Sequence, residues 1–509
     1  MMKKIILINP NFESPFIYKK NDIRDSPGIP RGILCIGTYL KKNGFDVKII
    51  DRRLSESTLD YIQQEAKNAL FVGISVMTSQ IRDALMVSDE LKKVSDVPIV
   101  WGGIHPTLFP EQTCKDNSVD FVIFEEGEET SLELANALKN DGKDFSKIYG
   151  LIYKKENEIV KNSSRAHIDL NKLPNLDFNL IDIERYIWRT LPGTGKKQRR
   201  LPLISSRGCP HRCGFCFHVL CNDIKYRTKS VDRTIEEIKE LISKYNIDSL
   251  LFAEDNFFVQ RKRVVEICNK LIENGIKINW RAECRADYFK QGFVDDELLQ
   301  LISKAGCKNF TVGAESGSQK ILNLMTKDIT VENIINCAEQ CNKYGISPSF
   351  SFMTGLPGEE KKDTRQTIKL IKKLRKLCPN CGVAIGIFRP YPGGHLYKTS
   401  FETAKLEDPQ TLREWIDKGY VKLMSLSSDI PWNKNSAYMQ NAVFYCRMFF
   451  FCTKESLLRY IKRNPVLGLG FSVFVLSGTV RVYMNFFSLP IEKYLFNYIL
   501  KKMKIVLPT

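Results

Sequence analysis

Residues 204–221 read ISSRGCPHRCGFCFHVLC, which puts Cys209, Cys213 and Cys216 at C-x3-C-x2-C spacing, with Cys221 five residues further on. Thiolates this close on one loop suit a small iron–sulfur cluster. Structural zinc usually recruits paired C-x2-C units or an added histidine pair, and neither His211 nor His218 stands at such spacing. The spacing therefore favours iron and sulfur over zinc. A disulfide knot is disfavoured, because fifteen cysteines are thinly spread over 509 residues and MMKKIILINPNF carries no signal-peptide pattern. The expected compartment is reducing, hence cytoplasmic.

The segment LPLISSRG just before the first cysteine reads as a strand, and it opens a series. From 201 to 395 the strand candidates PLISS, DSLLFAED, KINWRAEC, NFTVGAES, SPSFSFMTG and VAIGIFRPY alternate with helical patterns. Six such units predict a partial (β/α)6 TIM-type barrel with its chemistry at the C-terminal mouth, where the cysteine loop lies. Three ligands would leave one iron of a four-iron cluster open, as catalytic metal sites keep one position open.

Upstream, residues 1–145 alternate apolar strands (KIILIN, DVKIID, LFVGIS, VPIVWGG, VDFVIF) with polar-faced helices. This predicts a Rossmann-like, doubly wound parallel sheet with its ligand at the carboxyl ends of the strands. No G-x-G-x-x-G follows the first strand, which disfavours a nicotinamide or flavin dinucleotide. Residues 146–200 hold a β-hairpin and a Pro/Asn-containing linker, and 396–509 read as a helical C-terminal region.

The loop RGCPHRCGFCF resembles the cluster loop of the radical S-adenosylmethionine (radical SAM) superfamily, and RGILCIGTYLKKNGFDVKIID, GGIHPT and EEGEE resemble the cobalamin-binding domain that precedes the barrel in its cobalamin-dependent branch. The resemblance spans about residues 1–395. It implies a 4Fe-4S cluster on Cys209, Cys213 and Cys216, with Cys221 standing aside, whose open iron takes SAM. It implies SAM contacts at Glu254, Asp255, Glu315, Ser316, Gly355, Pro357 and Gly358, with Arg281 and Arg285 toward the SAM carboxylate. Cobalamin contacts are implied at Ser75, Thr78, Gly102, Gly103, Glu126 and Gly127. The D-x-H-x-x-G element that supplies a cobalt-ligating histidine elsewhere is missing, so His105 is expected not to ligate cobalt.

The implied activity is methylation of an unactivated carbon through a 5'-deoxyadenosyl radical and methylcobalamin, fed by a one-electron reductant of flavodoxin or ferredoxin type. Cyclisation or oxidation without methyl transfer is the alternative within the class. A tRNA-modifying methylthiotransferase is the alternative outside it, although the first 145 residues hold only Cys35 and Cys114 where such enzymes carry three further cluster cysteines.

The formal net charge of +18 suits an anionic partner. In residues 441–509, ten Lys or Arg stand against two Glu amid Phe, Leu, Tyr and Val, and 464–480 carry no charge. A basic and apolar tail favours peripheral contact with a membrane and a lipid-like or other small-molecule substrate; nucleic acid is not expected. Cys337 and Cys341 are expected to serve packing, CPNC at 378–381 is read as structural, and His167 is expected in solvent.

Overall fold

The computed structural model describes residues 3–13, 27–156, 158–190, 197–217, 225–424, 430–451, 476–487 and 490–494. Cys221, most of the uncharged run 464–480 and residues 495–509 lie outside the described residues.

Strands β1 (Lys4–Asn9), β2 (Asp46–Asp51), β3 (Ala69–Ser75), β4 (Ile99–Gly102) and β5 (Phe121–Ile123) form a parallel sheet in the order 2-1-3-4-5. Ile5 to Ile8 of β1 are all buried, as a central parallel strand covered on both faces requires. Helix Arg31–Lys42 follows β1 and buries Ile33, Leu34, Gly37 and Leu40, one apolar stripe at helical spacing. A side chain at Gly37 would meet Ile49 and Leu7 at 3.2–3.3 Å, so the missing Cβ is what lets this helix sit close to the sheet. Strand order reverses between β1 and β3, which opens a crevice at their carboxyl ends.

The predicted hairpin, β6 (Leu151–Lys155) and β7 (Glu158–Lys161), is present, but it belongs to this sheet: β6 pairs antiparallel with β5. A three-residue β5 would otherwise be an open edge, and the hairpin covers it. The linker therefore starts after β7.

Strands β8 (Trp188–Thr190), β9 (Lys197–Leu203), β12 (Ser249–Phe252), β13 (Asn279–Cys284), β14 (Cys307–Glu315), β15 (Ser349–Thr354) and β16 (Gly382–Ile387) build the second sheet. From β9 to β16 its neighbours are parallel and follow chain order, and β8 adds an antiparallel strand beside β9. Between β9 and β12 lies a small antiparallel pair, β10 (Ser206–Arg207) with β11 (Arg227–Thr228). β16 does not return to β9, so the barrel stays open on one side. Helix Ser436–Phe451 packs on β16, and Arg447 Nε donates to Ile385 O at 3.1 Å. Alternation along β13 sends Trp280, Ala282 and Cys284 into the helix layer and leaves Arg281 and Glu283 on the inner face.

The described residues after 395 are largely helical, as predicted, but the first part of this region is no free tail. Tyr397, Phe401, Leu412, Trp415, Tyr420 and Val421 join the core of the first domain. Among the described residues no helix is long and apolar enough to cross a membrane.

Candidate functional site

The cysteine loop leaves the barrel at Gly208, whose φ is +88° and where a Cβ would lie 1.9 Å from Lys225 O. Only glycine permits the β10–β11 pair to close there. Gly214, in the middle of the loop, is fastened on two sides: its N–H donates to Met325 O at 2.7 Å and its carbonyl accepts from Leu396 N at 2.9 Å. Cys213 is buried, Cys209 and Cys216 are half-buried, and none of the three is disulfide-bonded.

Among the described residues no three His, Cys, Asp or Glu side chains converge on a point fit for one metal ion. In a multi-iron cluster each thiolate binds its own iron, so the sulfurs need no common centre, and an all-thiolate donor set is what iron–sulfur ligation asks for. The loop fits that group. Burial pushes the Cys209 thiol up, so ligation there displaces a proton.

Around the loop the structure gathers charge. Arg285 lies just past β13 and is 6% exposed. Its Nη1 is 3.7 Å from Cys213 Sγ, its Nε donates to Asp287 Oδ1 at 2.9 Å, and its Nη2 donates to Lys327 O at 2.6 Å. Lys327, equally buried, places Nζ 2.9 Å from Glu315 Oε1 and 5.6 Å from the Phe215 ring centre. Burial works against both cations, but Asp287 and the Cys213 sulfur hold Arg285 above its ordinary value, and Glu315 does the same for Lys327.

The tandem acids after β12 part company. Glu254 commits both oxygens to Ser205 and Ser206, with Ser205 N–H donating at 2.8 Å, and Arg263 stands 3.9 Å away. It therefore braces the chain leading into the loop. Asp255 faces the loop itself, accepting from Gly208 N at 3.3 Å. Ser316 is buried against Thr367, and Arg281 donates to Thr311 Oγ1 at 2.7 Å on the inner face of the barrel. Arg285, expected toward the SAM carboxylate, here contacts Cys213, Asp287 and Lys327.

In the loop after β15, Gly355 has φ +93° and Pro357 is buried. Glu359, which sequence reasoning passed over within GLPGEE, accepts from Gly355 N at 2.6 Å and Leu356 N at 3.1 Å. Trp432 Nε1 donates to Gly355 O at 2.7 Å, and Asn433 Nδ2 to Leu356 O at 2.6 Å.

The crevice of the first domain is lined by small residues. Gly103 has φ +98°, and a Cβ there would lie 2.9 Å from Val76 N and 3.1 Å from Ser75 Oγ. Ser75, Gly102 and Gly103 thus adjoin at the ends of β3 and β4, and Gly127 opens helix Glu128–Lys139. Phe12 and Met77, at the ends of β1 and β3, are exposed apolar side chains. Backbone edges, small residues and exposed apolar groups form a donor set that fits a broad macrocycle such as cobalamin. His105 does not enter the crevice: it is fully buried, its Nδ1 is 3.2 Å from Thr78 Oγ1, its Nε2 has no hydrogen-bond partner, and Phe109 and Trp415 close on it at 5.2 Å. Burial pushes this imidazole down to about 3, so it stays neutral. Thr78, expected at the ligand, has its hydroxyl on His105.

The two sites face each other across ion pairs. Arg207, immediately before Gly208, reaches Glu126 at 3.0 Å and Glu128 at 2.6 Å, and Arg227 reaches Glu126 at 2.6 Å. Burial opposes ionisation of Glu126, but the two guanidiniums hold its carboxyl below the usual range. Glu126, expected as a cobalamin contact, is an interdomain bracket, and His167, expected in solvent, lies 3.6 Å from it. Arg31 Nη1 adds a bond to Ala253 O at 2.6 Å. Lys327, Glu359, Trp415 and Trp432 had no motif to announce them; Arg207 adjoined one.

Residues 203–371 match the radical SAM superfamily and residues 24–135 match the B12 binding domain. An uncharacterised methyltransferase of Pyrococcus horikoshii is 30% identical over 401 residues, 78% of this chain and 82% of that one. An anaerobic magnesium-protoporphyrin IX monomethyl ester cyclase of Rubrivivax gelatinosus is 24% identical over 81% of this chain and 75% of its own length. In fold, the chain is similar to the radical S-adenosylmethionine methyltransferase TsrM of Kitasatospora setae, solved with cobalamin and a 4Fe-4S cluster bound: TM-score 0.61 at 18% identity, covering 80% of this chain and 76% of that one.

Proposed function

The chain belongs to the radical SAM superfamily in its B12-binding-domain branch, and from that premise we propose that it is a cobalamin-dependent radical SAM methyltransferase acting on an unactivated carbon of a small or lipid-like molecule. The observation that carries this reading is the bracket from Arg207 to Glu126 and Glu128, which joins the first residues of the cysteine loop to the mouth of the first-domain crevice. When bound, the cluster supplies one electron for the cleavage of SAM, and cobalamin carries the methyl group.

The residues of the chain bind and orient. Cys209, Cys213 and Cys216 hold the cluster. Asp255, Glu315, Ser316, Gly355 and Pro357 line the SAM side, with Glu254 as a brace behind them. Ser75, Gly102, Gly103 and Gly127 offer backbone to cobalamin, while Phe12 and Met77 exclude water from it. The electron comes from a flavodoxin- or ferredoxin-type donor. Similarity to the Rubrivivax gelatinosus cyclase makes cyclisation or oxidation the second reading.

Reconstituted protein is expected to show iron–sulfur absorption that Cys213→Ala abolishes, to bind cobalamin one to one, and to release 5'-deoxyadenosine with dithionite and SAM. A full cluster in Cys213→Ala would sink the ligand assignment. A product 14 mass units heavier than its precursor in cells carrying the gene, compared with a deletion strain, distinguishes methyl transfer from cyclisation.

Peripheral membrane contact through 441–509 is part of the same reading. Helix Lys361–Leu377 exposes Lys361, Lys362, Arg365, Lys369, Lys373 and Lys376, and beside it Leu476, Val480 and Met484 are exposed, with Lys372 over the Tyr483 ring at 5.2 Å. Such a face suits anionic lipid. Co-sedimentation with phosphatidylglycerol vesicles but not phosphatidylcholine ones is the expected result; equal recovery with both removes this element.

A further inference from the structure

Residues 325–328 make a short clip beside the cluster loop, touching it through Met325 O and Lys327 Nζ. Thr326 and Asp328 both have left-handed backbone, φ +49° and +56°, a conformation costly for a β-branched residue and kept only where the surroundings demand it. The result is that Met325 O accepts from Gly214 N, Lys327 O accepts from Arg285 Nη2, and Lys327 Nζ reaches back over the Phe215 ring. His395 Nε2 lies 3.2 Å from Thr326 Oγ1, and its ring packs against Gly214 of the loop.

Three of the four charged groups in this network are nearly out of solvent: Arg285, Lys327 and Glu315. Two cations meet two anions, so the set is neutral, which makes its burial tolerable. The arrangement is nevertheless directional. The guanidinium N–H faces the Cys213 sulfur, and the Lys327 ammonium lies over the aromatic residue just before Cys216. Asp287 engages Arg285 through Nε, leaving Nη1 for the sulfur.

We propose that Arg285 and Lys327 are positioning residues that raise the reduction potential of the cluster held by Cys209, Cys213 and Cys216, Arg285 through its N–H contact with the Cys213 sulfur and Lys327 through its charge beside Phe215. The proposal rests on the cluster reading above. Reduction adds one electron, delivered by the one-electron donor, to a site already ringed by thiolates; no bond forms or breaks. A hydrogen bond to sulfur and a nearby fixed cation stabilise the added negative charge. The donor then needs less driving force. Asp287 works in the opposite direction, because it offsets the Arg285 charge.

The test is an electron paramagnetic resonance redox titration of the reconstituted full-length protein without SAM, with iron counted in each sample. Arg285→Met is expected to keep its iron while the ratio of reduced to oxidised cluster at a fixed poise falls about tenfold, which for a one-electron couple is about 59 mV. Arg285→Lys, which keeps charge but loses the planar fork, is expected between that and wild type. Lys327→Met shifts the ratio down by less, and Asp287→Asn shifts it up. A purely structural role would loosen the loop without giving these opposite signs. If Arg285→Met fails to hold iron, Arg285→Lys decides on the same scale. A full cluster with unchanged potential in Arg285→Lys and Lys327→Met overturns the proposal alone, whereas wild-type protein that takes up no iron overturns the cluster reading and the proposal with it.

Discussion

Cys213 in the cysteine loop and His105 beneath the first-domain crevice are both buried, yet they are held by opposite means. Around Cys213 the contacts are charged and directional: Arg285, Asp287, Lys327 and Glu315, each committed to a named partner. Around His105 they are aromatic: Phe109 and Trp415 pack on the imidazole, and Tyr397 and Tyr420 pack on Trp415 in turn. A donor and an acceptor accept a narrow range of angles, whereas packed rings fill volume and tolerate small slides. The first device suits a loop whose sulfurs must keep their positions. The second suits a joint between a domain and the segment that docks on it.

The largest test of this contrast is Glu315→Ala. It leaves Lys327 buried without its carboxylate and is expected to cost about 3–5 kcal/mol, read as a lower urea midpoint by tryptophan fluorescence. A cost under about 1 kcal/mol would mean that the charged network is slack and the contrast false.

The aromatic side has a different signature, in pH. Above pH 6.5 His105 is neutral folded or unfolded, so its contribution is fully present there. As pH falls from 6.5 toward about 3 the unfolded chain takes a proton that the folded one refuses, and stability drains away. At pH 5 the loss is about 2 kcal/mol, from 1.36 kcal/mol per pH unit. His105→Gln is expected to flatten that slope in urea melts at pH 7 and 5; an unchanged slope would assign it to other groups.

Smallest is Arg413→Ala. Arg413 pairs with Asp89 and Asp116 across the same joint but stands half in solvent, so about 0.2–1 kcal/mol is expected, vanishing in 1 M salt. A larger, salt-resistant loss would shift weight from the rings to the rim of the joint.

Much of the architecture was legible. Strands buried on both faces read as unbroken apolar runs, so KIILIN and VPIVWGG announced themselves, and three cysteines at fixed spacing pointed toward an iron–sulfur loop. What stayed hidden depends on contacts between distant segments. DSLLFAED shows two acids but not which one turns toward Ser205 and Ser206 and which toward Gly208 N; strand geometry decides that. The hairpin was visible, but its pairing with β5 was not, because register across a sheet leaves no local pattern. Lys327 sits in MTKD, and only the left-handed turns on either side bring it to Phe215. Trp415 comes 310 residues after His105, too far for any periodicity to link them.

An open barrel has an exposed flank, and here β16 is that flank. Arg447 bonding to Ile385 O occupies one hydrogen-bonding position of this edge, and the helix Ser436–Phe451 packs beside it, where a second molecule would otherwise extend the sheet. Shortening the chain to end before Ser436 would therefore be felt first as self-association and loss from solution, with catalysis failing only as a consequence.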